Sequence, residues 1–158
     1  MDGPEVQLVL AGENRFGTTM DDAVVAAALA PVEGMVEQRG WMPREQFFED
    51  VDMLVVPSAA PETFGLVAAE AMAAGIPVIV SDAGALPEVV GGTSAGIARA
   101  GDADHLADTV GEALRRDPEQ QLSLAAAARS RWEALFSPAA GTRRVADLLT
   151  TLSDEVTT

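Results

Sequence analysis

The chain has 158 residues, enough for one domain with its own core, and its formal charge of −15 would repel nucleic acid. It contains no cysteine, which excludes a disulfide framework, a thiolate nucleophile and a cysteine metal site. No charged leader precedes an apolar segment, and no apolar run reaches the roughly 18 residues a membrane span needs, so a cytoplasmic protein is expected.

In chain order, short apolar runs bounded by turn residues read as buried parallel strands at 6–11, 35–39, 53–56, 78–81 and 96–99. Helical text separates them. The segment 21–30 is alanine-rich and starts from acidic residues, and 43–50 carries Pro43 in its first turn. Further helices are predicted at 64–74 and 86–90. Strand alternating with helix specifies an α/β fold, a Rossmann-like parallel sheet with flanking helices. After Gly101 the text changes, and 102–116, 118–136 and 139–152 read as amphipathic helices with no strand between them. All ten basic residues are arginine, and six of them (Arg115, Arg116, Arg129, Arg131, Arg143, Arg144) fall in these last helices. They read as a helical surface with ordinary charge pairs. The other reading is a weakly basic strip that meets a partner domain or anionic lipid headgroups, the basis for a peripheral membrane contact.

The most informative segment is the predicted helix 64–74. Thr63 stands as its N-cap, Gly75 ends it, and its residues are apolar on every side except Glu70, the pattern of a helix buried within a domain. A carboxylate buried there costs several kcal/mol unless hydrogen-bonded, on the order of 3–5 when a partner is missing. A second carboxylate, Glu62, precedes the helix, so the two acids bracket a helix N-terminus whose free N–H groups suit an anion. Read structurally, Glu62 complements the helix dipole and Glu70 is satisfied by backbone or an arginine. Read functionally, the pair binds a ligand.

The surrounding text favours a ligand. The run Asp52-Met-Leu-Val-Val-Pro-Ser58 leads to Pro61-Glu-Thr-Phe-Gly65, then Glu70-Ala-Met-Ala-Ala-Gly-Ile-Pro-Val78, then Gly84-Ala-Leu-Pro-Glu88. This resembles the donor-binding domain of retaining GT-B glycosyltransferases of the family 4 type, and the spacing of Glu62 and Glu70 matches that family's E-x7-E motif. The resemblance covers roughly residues 5–116, a partial nucleotide-sugar donor-binding domain, with 117–153 expected as helices packing on the same domain. It implies that Glu70 accepts hydrogen bonds from two ribose hydroxyls and that Glu62, the catalytic acid of the pair, holds a hydroxyl of the transferred sugar. The N–H groups of Phe64, Gly65 and Leu66 would face sugar and phosphates, Gly65 and Gly84 admitting the ligand to the backbone. Trp41 lies where family members grip the base, and reads either as a base-stacking neighbour or as surface packing. Glu88 reads as a structural helix-start acid.

The family's first strand, which is its central one, and its glycine loop find no counterpart. The Arg and Lys that neutralise the leaving diphosphate lie in that segment. Arg15, the nearest basic candidate, reads as a loop arginine. His105, the single histidine, reads as structural, and Ser58, Ser81 and His105 have no triad spacing. No acidic cluster resembles a metal site, and the family commonly needs none, so a metal-independent reaction without a cofactor is expected. A missing acceptor-binding domain or partner chain is implied. By itself the chain is expected to transfer no sugar and to bind nucleotides with a Kd of about 0.1–1 mM or weaker. The strands flanking the gap are expected either to pair directly or to be hidden in a homo-oligomer. The competing reading is a non-catalytic or truncated nucleotide-binding module.

Overall fold

A computed structural model describes residues 6–13 and 19–156. The order of elements is β1 (Leu8–Ala11), α1 (Thr19–Leu29), a 3-10 segment (Ala30–Met35), β2 (Val36–Gly40), α2 (Arg44–Glu49), β3 (Leu54–Val56), α3 (Leu66–Ala74), β4 (Val78–Ser81), α4 (Leu86–Val90), a 3-10 turn (Gly91–Thr93), β5 (Gly96–Ala98), α5 (Ala103–Leu114), α6 (Pro118–Leu135) and α7 (Pro138–Val156). All strand pairs are parallel, as the alternation of strand and helix predicts. Arg15 lies outside the described residues.

The strands form two sheets rather than one: β1 with β2, and β3–β4–β5 with β4 in the middle. The direct pairing expected of the strands flanking the gap is therefore not made; β1 and β3 do not pair among the described residues. The chain accordingly divides into two compact units, residues 1–51 and 52–158.

In the first unit, β1 and β2 run in register from Leu8 opposite Val36 to Leu10 opposite Gln38, with an irregularity before Ala11. Arg39 on β2 is held by Glu37 at 2.8 Å and by Asp50 at 2.8 Å, beyond the end of α2. In the second unit, β4 is buried along its whole length, which is what an uninterrupted Val-Ile-Val run becomes between two neighbouring strands. Ile79 packs with Ala95 and Ala113, flanked by Met53, Val55, Leu106 and Val110. α3 packs along α6, and small residues are buried on both, Ala68, Ala69 and Ala71 on one helix and Ala125 and Ala128 on the other. Asp102 and Asp117 cap α5 and α6 by accepting the N–H groups of His105 and Glu119. Among the described residues no helix is long and apolar enough to cross a membrane.

Two expectations about α3 need correction. The helix starts at Leu66, not Phe64, because Gly65 at its N-cap is left-handed (φ +82°) and Thr63 provides no cap. Nor is it buried on every side. Ala68, Ala69, Ala71 and Met72 face the core, Leu66 is 69% exposed, and Glu70 is partly buried. Alanine-rich text carries no polar stripe to mark the solvent side.

Candidate functional site

The site is built at the carboxyl end of β3, where the chain leaves the sheet through Pro57 and Ser58 and enters loop 59–65 before α3. Ser81 at the end of β4 is buried, and its hydroxyl donates to the Ser58 carbonyl at 2.7 Å. The Ser58 hydroxyl in turn donates to Oε1 of Glu62 at 3.1 Å. Ser81 of the central strand thus holds the Ser58 backbone, and the Ser58 side chain orients the Glu62 carboxylate.

The backbone of Glu62 is held from the other side. Its carbonyl accepts the N–H of Ala85 at 3.0 Å, and Gly84 (φ +59°) passes so close that an added Cβ would lie 2.2 Å from the Glu62 oxygen and 2.7 Å from its nitrogen. Only glycine fits that approach. Gly65 is constrained in the same way, since an added Cβ would lie 2.4 Å from Cδ2 of the buried Leu86. Its carbonyl accepts the N–H groups of Ala68 and Ala69, which starts α3 and leaves the N–H groups just before them without partners inside the helix. Gly65 therefore has a folding role that its reading as a ligand-approach glycine does not include.

Of the residues singled out by sequence, the structure brings Glu62, Phe64, Gly65, Leu66, Glu70 and Gly84 into the second unit, on one loop, the helix it opens and the turn packed beneath it. Trp41 belongs to the first unit, where it is 61% exposed after β2 and the positive-φ Gly40. His105 serves the start of α5: its Nδ1 accepts the Arg99 N–H at 2.8 Å and its own N–H donates to Asp102. Beside it, the His105 N–H and then the Arg99 guanidinium hold the Asp102 carboxyl below the usual carboxylate range. Among the described residues, no group of three or more His, Asp or Glu side chains stands ready to hold a metal ion.

Sequence reasoning missed Ser58 and Ser81 as orienting groups, though Ser58 stands in the Pro-Ser pair of the recognised text. It also missed Leu86 and Phe136, whose contacts to Gly65 and Phe64 bridge distant segments. Several C-terminal arginines are structural. Arg131 donates to the Glu88 and Val89 carbonyls, Arg116 to Ala95, Arg144 to Leu135, and Arg129 pairs with Glu133.

The chain is similar to known proteins in sequence and in fold. The family model described as "Glycosyl transferases group 1" matches residues 2–116. D-inositol 3-phosphate glycosyltransferase of Mycolicibacterium smegmatis is 36% identical over 123 residues, 73% of this chain and 28% of that protein. The Mycobacterium marinum enzyme of the same name is 32% identical over 142 residues, 85% of this chain and 30% of that one. Among solved structures, Anabaena HepE in complex with UDP superposes with a TM-score of 0.84 at 25% identity, covering 94% of this chain and 42% of HepE. Sucrose-phosphate synthase from Thermosynechococcus elongatus superposes with a TM-score of 0.78 at 29% identity, covering 94% and 39%. The chain thus spans less than a third of the length of these curated relatives. With the family model covering most of its length and the GT-B fold shared with these structures, the chain belongs to the group 1 glycosyl transferases.

Proposed function

We propose that this chain is the nucleotide-sugar-binding part of a retaining glycosyltransferase, which transfers a hexosyl group from a nucleoside diphosphate to an acceptor held by another domain or chain. The observation that carries the proposal is the doubly held Glu62. Its carboxylate is oriented by Ser58 and its backbone is locked by Gly84 and Ala85, immediately before a left-handed glycine that opens α3. A surface acid has no need of such support, whereas a group that must meet a sugar hydroxyl in one orientation does.

In this reading Glu62 accepts a hydroxyl of the transferred sugar. The N–H groups of Phe64, Gly65 and Leu66 face its phosphates at the positive end of α3. Glu70, about one turn into α3, accepts the ribose hydroxyls. Gly84 supports the backbone of Glu62. The donor is bound without a metal ion, in the cytoplasm, by a domain comprising residues 5–116 on which the helices of 117–153 pack. In this reading the acceptor attacks the anomeric carbon on the face that the diphosphate leaves, and no protein nucleophile is required. A non-catalytic or truncated nucleotide-binding module is the second reading.

Calorimetric titration of the folded chain with UDP, GDP and ADP tests the proposal. UDP is expected to bind best, since HepE is known in complex with UDP and with UDP-glucose, at a Kd of about 0.1–1 mM. Glu70→Gln should weaken that binding by about tenfold or more, through loss of charge-assisted hydrogen bonds, with little change in the urea midpoint. A folded chain that binds none of the three nucleotides would refute the reading, and an unchanged affinity in Glu70→Gln would refute the ribose role.

A further inference from the structure

We infer that Phe136 and Arg131, at the end of α6, are positioning residues for the donor loop. The inference rests on the donor-site reading of that loop and adds to it a third element, remote in sequence, that sets where the loop's N–H groups stand. Phe64 is an aromatic side chain, 36% exposed, on a loop whose helix has no side-chain cap. Its ring meets Phe136 edge to face, with centroids 5.5 Å apart and planes at 87°. This is the geometry in which a ring's positive edge meets its neighbour's negative face, and it resists rotation of either partner.

Phe136 is itself immobilised. Its N–H and that of Ser137 both donate to the Trp132 carbonyl, at 2.8 and 2.9 Å. The Ser137 hydroxyl donates to the Glu133 carbonyl and accepts the N–H of Ala140, which pins the corner between α6 and α7. One turn back, the Arg131 guanidinium lies 6.0 Å from the Phe136 ring centroid. Its Nε and Nη2 donate to the carbonyls of Val89 and Glu88 at the end of α4, at 2.9 and 2.7 Å. It packs over Gly91 so closely that a Cβ there would lie 2.8 Å from Cζ.

These contacts close a circuit. From Phe64 it runs through Phe136 and Arg131 to the carboxyl end of α4, along α4 to Leu86, and from Leu86 back to Gly65, the residue next to Phe64. Two neighbouring residues of the loop are thereby tied by separate routes to the same helix. Release of either tie frees the peptide planes of Phe64, Gly65 and Leu66, whose N–H groups are assigned to the donor. Phe136 touches no ligand in this arrangement; its effect passes through Phe64.

The test uses the whole chain, amide hydrogen exchange read residue by residue, and titration with UDP-glucose. In Phe136→Leu, amide exchange over residues 61–66 should accelerate by about tenfold or more while β4 keeps its protection. UDP-glucose affinity should fall roughly three- to tenfold, and Phe136→Tyr, which restores a ring, should recover both. Arg131→Lys keeps the charge but loses the forked contact to α4. It should reproduce the same pattern more weakly, and it serves if Phe136→Leu does not fold. Unchanged loop exchange in a folded variant overturns the inference, as does a loosened loop that binds UDP-glucose as the parent does. Failure of the parent chain itself to bind any nucleotide marks the donor-site reading as the error and removes the donor from the inference. The exchange data then still report whether Phe136 orders the loop.

Discussion

The two units of this chain have the same kind of sequence and very different interiors. In residues 52–158 a strand is buried end to end, Met72, Ile79, Leu86, Val78 and Val80 are almost fully shielded, and two packed helices both bury alanines. In residues 1–51 no described side chain is fully buried; Leu8, Val24, Val25, Met35 and Trp41 are between 45% and 64% exposed, and the clearest polar anchor is the Glu37–Arg39–Asp50 cluster. A two-stranded sheet has too little area to shield its own apolar residues, whereas a third strand gives the middle one two covered edges. The comparison teaches that apolar content alone does not make a core; a strand between strands does.

The sharpest way to break the comparison is at the glycines. Gly84 and Gly40 both have positive φ (+59° and +63°), but a Cβ at Gly84 meets the Glu62 backbone, and one at Gly40 meets nothing within 4 Å. Gly84→Ala should cost roughly 3–5 kcal/mol in urea unfolding, combining left-handed strain with overpacking. Gly40→Ala should cost about 1 kcal/mol, the strain term alone less the chain entropy recovered. Equal costs would show that the second unit is no tighter than the first.

A methionine pair gives a somewhat smaller contrast. Met72 is fully buried and Met35 is 53% exposed. Met72→Ala is expected to lose about 2–5 kcal/mol and Met35→Ala about 0.5 or less, read from denaturation midpoints at constant slope.

The smallest expected effect concerns acid. The side-chain hydrogen bond from Arg39 holds the Glu37 carboxyl below its ordinary range in the first unit, and the His105 N–H, followed by Arg99, does the same for Asp102 in the second. Because both folded-state values are depressed, the stability they contribute is present above the unfolded carboxylate range and is lost as pH falls through the lowered value, below about pH 4. Glu37→Gln and Asp102→Asn should therefore each unfold slightly more easily than the parent near pH 7 and match it near pH 2. A constant offset across that range would assign the loss to packing and not to charge.

Much of the second unit was legible in the sequence, for physical reasons that its residues display. The Val-Ile-Val run of β4 has no polar position to expose, so it must lie between strands, and the change of text after Gly101 marks the succession of helices α5, α6 and α7. The loop from Pro61 to Gly65 was recognisable by its text. The solvent face of α3 was not, because Leu66 and Val67 are as apolar as the residues that face the core. The left-handed turn at Gly65 and the tight approach at Gly84 were read as room for a ligand, since the neighbours that demand them, Leu86 and Glu62, are identified only once the chain is folded. The gap in the sheet was legible from the missing strand, but its outcome, two separate sheets with no direct pairing across the gap, was not.

The contact between Phe64 and Phe136 also bears on how the protein is made. Synthesis proceeds from the amino terminus, so the loop with Glu62 emerges long before the end of α6 that braces it. β3, β4 and α3 can associate while the chain is still growing, but the closing of a long loop is needed before Phe136 arrives. Loop 59–65 is therefore among the last parts of the second unit to become rigid. A ribosome stalled after α5 would carry a sheet with most of its core in place and a loop not yet set, exposed to chaperones and proteases in the interval.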